Sequence, residues 1–383
     1  MLNRRIFTLG IACAAIAPAV RAQVDDDDAI REILKRRIDG EKRSLGMAVC
    51  IVTQSRTRFV TWGRERLSDS RPVTADTVFA IGSITKVFTT LLLADMVRRG
   101  EMGLDDPVAR HLPSDFRLPE FDGRQITLVD LATHTSGLPG FPMIAGTPFS
   151  PAWLESIARF SLNDFKAWLA DLHLQRLPGS AWEYSNAVGH TLLSLALAYR
   201  GGQSFEHLLQ TRLLNPIGLS ETSFHPTTEM DARRAEGHDA DLKPMPPLDL
   251  GVFGAAGGLY STARDMSRFA AAILSDSGDP IARDEQILLS VHRPAPMIRG
   301  AQALGWEVLG APGRTFLSKD GVTFQAASMV FDPETRLAII VLSNTMPDLR
   351  YSSRSGGGVG SADIARHLLR PQIPLGGSGG TIY

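Results

Sequence analysis

The chain has 383 residues, 44% of them hydrophobic, which is ordinary for a globular protein and excludes wholesale disorder. Its 40 basic and 41 acidic residues leave a formal net charge of −1, so nothing suggests a nucleic-acid partner. The length is too great for one small domain and calls for one large mixed domain, or two that share a cleft.

Asn3-Arg4-Arg5 is a basic start, Ile6 to Val20 an apolar and small-residue run, and Val20-Arg21-Ala22 a plausible cleavage site. Residues 1–22 are therefore expected to be a leader removed on export to the periplasm or the medium. The run is short for a bilayer and Pro18 breaks it, so no stable membrane insertion is expected. Gly10 stands where a lipoprotein leader would carry an aliphatic residue ahead of Cys13. Losing Arg4, Arg5 and Arg21 takes the net charge from −1 to −4 and leaves Cys50 as the one cysteine. An exported protein without a disulfide must be held by core packing, and Cys50 is expected to be a small buried hydrophobe in a strand.

Asp25 to Asp28 precede an apolar-periodic run and predict a helix start. Met47 to Thr53 and Arg58 to Gly63 predict a hairpin around Gln54-Ser55-Arg56-Thr57. Next comes Ser83-Ile84-Thr85-Lys86, opening a helix that is apolar on nearly every side and stops at Arg98-Arg99-Gly100. At i and i+3, Ser83 and Lys86 share one face, near the unpaired N–H groups of a helix start. A serine becomes a nucleophile when a neighbouring base takes its proton, and a partly desolvated lysine can help do so.

From about 100 to 290 the pattern is helices and long loops. Thr127 to Asp130 predicts a capping box, Ser150-Pro151 an N-cap with proline in the first turn, and Ala187 to Tyr199 a buried helix. Thr262 to Asp265 predicts a second capping box, after the glycine-rich Gly251 to Gly258. Strands return at Leu304 to Leu309, Arg314 to Ser318, Ala326 to Phe331 and Leu337 to Ser343, with a turn at Asp332-Pro333-Glu334-Thr335. Ser361 to Leu369 suits a closing helix, while Gly356 to Gly360 and Gly376 to Gly380 read as loosely ordered. Strands at both ends around a helical middle predict an α+β fold: one antiparallel sheet built from both termini, with a large helical region inserted. The expected division is a sheet region at 23–82 and 300–383 and a helical region at 83–299, with the site at their interface.

Three candidate elements stand in order: Ser83-x-x-Lys86, Tyr184-Ser185-Asn186 and Lys319-Asp320-Gly321. Ser-x-x-Lys and Lys-Thr-Gly belong to the penicillin-recognising set. With a tyrosine in the middle motif, the chain resembles class C β-lactamases and their relatives among D-alanyl-D-alanine peptidases and serine esterases. The resemblance runs from about residue 30 to 345. It includes Leu131-Ala132-Thr133-His134-Thr135-Ser136-Gly137-Leu138-Pro139, Pro178-Gly179 and Ala256-Gly257-Gly258-Leu259-Tyr260-Ser261.

The resemblance implies a β-lactamase/transpeptidase-like fold and an acyl-enzyme on Ser83, with Lys86 and Tyr184 taking and returning its proton. It implies Asn186 against a substrate amide, Lys319 against a substrate carboxylate or tuning Tyr184, and an oxyanion hole from the N–H groups of Ser83 and Val322. Gly321 would leave room for the substrate backbone. The implied activity is hydrolysis of a β-lactam, with a D-alanyl-D-alanine carboxypeptidase or endopeptidase acting on cell-wall peptides as the alternative, or a serine esterase. No cofactor or metal is expected, and the protein is expected to act as a monomer. His134, His173, His190 and His238 lie near acids without a paired ligand spacing. A non-catalytic binding protein on this scaffold would be expected to have lost Ser83, Lys86 or Tyr184.

The departures from the pattern are four. Asp320 replaces a threonine or serine, placing a carboxylate where the family offers a substrate-binding hydroxyl. Val322-Thr323-Phe324-Gln325 replaces a glycine-rich run. Phe141 stands where class C enzymes carry a glutamine, and Pro347 near the place of an asparagine. These bear on cephalosporin hydrolysis and leave Ser83, Lys86 and Tyr184 untouched.

Overall fold

Asp26 opens the first helix, α1 (Asp27–Lys35), by accepting from the N–H groups of Asp28 and Ala29 at 3.0 Å. The computed structural model describes residues 24–142, 146–185, 187–275, 278–298, 300–311, 314–348, 360–373 and 375. The expected leader, with Cys13, lies outside the described residues, as do Gly356 to Gly360, apart from Gly360 itself, and Gly376 to Gly380.

The strands that follow α1 are β1 (Gly46–Val52) and β2 (Thr57–Gly63), joined by the hairpin at 53–56. A short β3 (Val78–Ala80) pairs away from the main sheet with β4 (Tyr260–Thr262). The late strands are β5 (Arg293–Ala295), β6 (Gly300–Gln302), β7 (Glu307–Ala311), β8 (Arg314–Val322), β9 (Ala326–Asp332) and β10 (Leu337–Ser343). With β1 and β2 these six form an eight-stranded antiparallel sheet in the order β2-β1-β10-β9-β8-β7-β6-β5. The N-terminal β1 pairs with the C-terminal β10, Met47 opposite Ser343. The fold is thus α+β, with the sheet built from both ends of the chain.

Antiparallel strands with one wet face alternate apolar and polar residues. Here β1, β9 and β10 are buried at every position, because helices cover both faces. Met47, Val49, Ile51, Val330, Ile339 and Val341 pack against Ile30 and Leu34 of α1 and against Ile364, Leu368 and Leu369 of the last helix. Ala48, Cys50, Met329, Phe331, Ile340 and Leu342 point the other way, into the core of the helical region. Cys50 is fully buried, and burial pushes its thiol well above the usual range.

The helical region centres on α2 (Thr85–Arg98), whose residues Thr85 to Met96 are all buried. Around it lie α3 (Leu128–Ala132), α4 (Pro151–Arg159), α5 (Leu162–Asp171), α6 (Val188–Gly201), α7 (Ala263–Ile273) and α8 (Pro280–Leu288). The closing helix is α9 (Ser361–Leu369). Thr127 and Asp130 form the predicted capping box, and Ser150 caps α4 ahead of Pro151.

Three expectations are corrected. Thr262 caps α7 by accepting from Asp265 N–H, but Asp265 does not reciprocate. Its carboxylate accepts instead from Glu221 N–H at 2.7 Å and Thr222 Oγ1 at 3.0 Å. The strand expected from Leu304 starts at Glu307, because Gly305 takes φ +80 and donates its N–H to Ala132 O at 3.2 Å. The strand expected to end at Ser318 runs on to Val322, because pairing with β9 continues as far as Val322 opposite Ala326.

Candidate active site

Ser83 lies in a single 3₁₀ turn, Gly82–Ile84, that leads directly into α2. The turn meets the end of β8 so closely that side chains would not fit. A Cβ on Gly321 would overlap Ile81 O and lie 3.0 Å from Ser83 N, and one on Gly82 would lie 2.7 Å from Val322 N. Gly82 also holds φ +52, which an L side chain rarely adopts. The two glycines therefore bring the N–H groups of Ser83 and Val322 to the same narrow gap.

One turn into the helix, Lys86 is fully buried and donates to Ser83 Oγ at 3.0 Å and to Ala256 O at 2.6 Å. The Ala256-Gly257-Gly258 phrase thus supplies the carbonyl that fixes this lysine. Burial, opposed by Tyr184 and helped by the Lys319 charge, brings the Lys86 ammonium down to about 8.

Tyr184 approaches from the loop ahead of α6. Lys319 Nζ donates to its hydroxyl at 3.3 Å and lies 4.6 Å from its ring centre, with Lys86 Nζ 5.3 Å away. Burial alone would raise the phenol; Lys319 and then Lys86 outweigh it, with a further contribution from the Ser83 hydroxyl, and bring it down to about 8. Lys319 is itself 1% exposed. Burial would lower its pKa, but Tyr184 and Glu307, whose Oε1 is 3.7 Å away, raise it above the ordinary value.

The loop carrying Tyr184 is clipped to His134, which stands at φ +58. His134 O accepts from Glu183 N–H at 2.9 Å, and His134 Nδ1 accepts from Ser185 N–H at 3.1 Å. That bond assigns the ring proton to Nε2. The His134 ring packs 4.5 Å from the Tyr184 ring and 5.0 Å from His190. Burial holds both imidazoles well below their usual range, so both are neutral.

The structure brings Ser83, Lys86, Tyr184, Lys319, Gly321 and Val322 together. Asn186 lies outside the described residues. Asp320 is a correction. Successive strand residues face opposite sides, so with Lys319 turned to the helical region Asp320 points to the face under α9. There it accepts from Ser328 Oγ at 2.6 Å and from the Arg366 guanidinium at 2.7 Å. It is not among the groups that meet at Ser83. Glu307 and His134 were missed as site residues: Glu307 has no motif around it, while His134 sits inside a quoted phrase whose geometry the sequence does not disclose.

Beside Ser83 is a cavity of about 180 Å³ with a largely aromatic wall: Phe141, Phe149, Trp153 and Phe253, closed by Leu250 and Val322. Phe141 meets Trp153 edge-on at 5.4 Å, and Phe149 meets Phe324 at 5.6 Å. Of the departures from the family pattern, Phe141 lines this cavity and Phe324 lies behind it, against Phe149.

A family profile described as Beta-lactamase matches residues 23–356. The chain is 27% identical over 378 residues to the D-alanyl-D-alanine-carboxypeptidase/endopeptidase AmpH of Escherichia coli K12, covering 93% of this chain and 95% of that one. It is 30% identical over 314 residues to a beta-lactamase of the same organism, covering 78% and 76%. Among solved structures it resembles a class C beta-lactamase from Rhodobacter sphaeroides, with TM-score 0.70 and 24% identity over 90% of this chain and 97% of that one. It also resembles a beta-lactamase/D-alanine carboxypeptidase from Yersinia pestis, with TM-score 0.69 and 22% identity over 82% and 92%. At these identities the structural likeness establishes the beta-lactamase/transpeptidase fold.

Proposed function

Since this chain belongs to the beta-lactamase family, we propose that it is a serine acyl hydrolase that opens the β-lactam amide through an acyl-enzyme on Ser83. One observation carries the reading: a buried lysine with its pKa lowered to about 8 donates to a serine hydroxyl at 3.0 Å, with a phenol beside it that is also lowered to about 8.

In the proposed reaction Ser83 Oγ attacks the carbonyl carbon while its proton passes to the Lys86/Tyr184 pair. The carbonyl oxygen gains the negative charge in the gap between the N–H groups of Ser83 and Val322. The C–N bond then breaks, and the nitrogen takes the proton back through the Tyr184 hydroxyl. Water, deprotonated by the same pair, then attacks the acyl carbon; the bond to Ser83 Oγ breaks, and Oγ takes that proton as the acid leaves. Asn186 is assigned to the substrate amide. Lys319, buried and engaged by Tyr184 and Glu307, is assigned to holding the phenol acidic. The basic start, apolar run and small-residue site at 1–22 support export to the periplasm or medium, with cleavage near Ala22.

A second reading, hydrolysis of D-alanyl-D-alanine peptides, is favoured by the extent of the match to AmpH, which spans nearly the whole of both chains. Ester hydrolysis is favoured by the aromatic wall beside Ser83. All three share the acyl-enzyme and differ in how fast water removes it.

Intact-mass measurement after exposure to benzylpenicillin tests the nucleophile. The protein should gain the mass of the opened drug and Ser83→Ala should not; an adduct that survives in Ser83→Ala removes Ser83 from the role. Parallel turnover of a β-lactam, a D-alanyl-D-alanine peptide and a short-chain ester ranks the substrates.

A further inference from the structure

A second cavity, of about 400 Å³, adjoins the aromatic one and shares Leu248 and Thr323 with it. Its lining includes Ala80 and Tyr260, paired between β3 and β4, and the guanidinium side chains of Arg66 and Arg234. Ala80 is three residues before Ser83, so the lining reaches within about 11 Å of that serine along the backbone.

Of the two cations, Arg66 is the less compensated. Arg66 makes no ion pair with a described residue. It donates to the backbone oxygens of Asp231 and Arg234 at 3.4 Å each, and its Nε is buried without a partner. Arg234 lies 3.2 Å from Asp231 Oδ1 and 5.7 Å from the centre of the Tyr260 ring. Glu236, the one acid in the lining, is engaged elsewhere: it accepts from Leu67 N–H at 3.2 Å and stands 3.2 Å from His238 Nε2. Both arginines are half-buried and Arg234 is ion-paired with Asp231, so Arg66 is the cation left without an acid among the described residues; a carboxylate would offer it short, charge-assisted and often bidentate bonds.

We propose that the Arg66–Arg234 cavity is a second substrate subsite, which takes a carboxylate carried on an arm of the substrate remote from the bond that is cleaved. The substrate would then be apolar where it passes the aromatic wall and anionic at its far end. This rests on the reading of Ser83 as nucleophile only in placing the cleaved bond.

Two ester pairs test it. Mono-p-nitrophenyl adipate against p-nitrophenyl hexanoate puts the charge on the acyl arm. 3-Carboxyphenyl acetate against phenyl acetate puts it on the leaving arm. In Arg66→Gln/Arg234→Gln the kcat/KM preference for the charged member should fall at least about tenfold in one pair, the scale of a lost charge-assisted contact, and Arg66→Lys should retain most of it. An unchanged preference in both pairs overturns the proposal. Titration of Ser83→Ala with monomethyl adipate separates the subsite from the chemistry. Binding weakened about tenfold by the two Gln substitutions upholds the subsite even if no ester is turned over, a result that would sink only the nucleophile reading. Absent binding, or binding the substitutions leave unchanged, overturns the subsite.

Discussion

Lys86 and Tyr184 stand side by side, each with its pKa lowered to about 8, so they titrate as one pair. At low pH the pair is an ammonium and a phenol and holds no base; losing one proton creates the base that Ser83 needs. kcat/KM should therefore rise with pH through about 8 and level off above it. Two variants should move that limb in opposite directions. Lys319→Met removes a cation that lowers both groups, so the limb moves to higher pH. Glu307→Gln removes a carboxylate that raises Tyr184, so it moves to lower pH. A pH profile of each variant checks this, and a shift of the same sign in both would discard the electrostatic account. At this scale the motif residues were legible in the sequence, and their environments were not. Lys319 read equally well as a hand for the substrate carboxylate or as a group that tunes Tyr184; its burial against Glu307 favours the second role, which the pH profiles test. Asp320 read as an acid in the cleft because a motif has no faces, whereas a strand has two.

Between elements, the decisive contact is the end of β8 against the Ser83 turn, where only hydrogen atoms fit at Gly82 and Gly321. Gly321→Ala should push the strand from the turn and spread the two N–H groups apart. The expected loss in kcat is about 10²–10³, the scale of removing one oxyanion donor, with the melting temperature little changed because the strand end can shift outward. Stopped-flow acylation and thermal melting measure the two; a large loss of Tm with kcat preserved would make the glycines packing residues only. The elements themselves were readable in unequal measure. The all-round apolar α2 announced itself, since a helix with no polar face must be central. The strand through Ser318-Lys319-Asp320-Gly321 did not, since a polar run normally ends a strand. It continues because each charge finds a partner on its own face, Glu307 for Lys319 and Arg366 for Asp320.

Over the whole molecule, stability rests on one sheet covered on both sides, and the burial of Glu285 opposes it. Glu285 on α8 is 6% exposed; its Oε2 accepts from Trp306 Nε1 at 3.2 Å, and its Oε1 has no partner. Burial raises it from 4.5 to about 8. The native state therefore keeps a proton that the unfolded chain releases. Its contribution to stability is intact below pH 4.5 and is lost as pH rises towards 8. Glu285→Gln keeps the acceptor without the charge. It should stabilise the protein by about 1–3 kcal/mol at pH 8 and by little at pH 5, as read from melting temperatures at both values. Equal gains at the two pH values would mean that the carboxyl is not the cause. The sequence disclosed that strands from both ends share a sheet; it did not disclose that β1 and β10 are neighbours, since register arises from contacts across the fold. That adjacency has a consequence in time. On a ribosome, β1 emerges roughly 300 residues before β10, which at about 5–20 residues per second is a wait of roughly 15–60 s. Throughout that interval the sheet lacks the pair that joins the two ends of the chain, so the native eight-stranded sheet cannot be completed. A polypeptide so delayed would remain open to threading through a narrow pore, as the proposed export requires, and the cleft around Ser83 would close only after the tail has arrived.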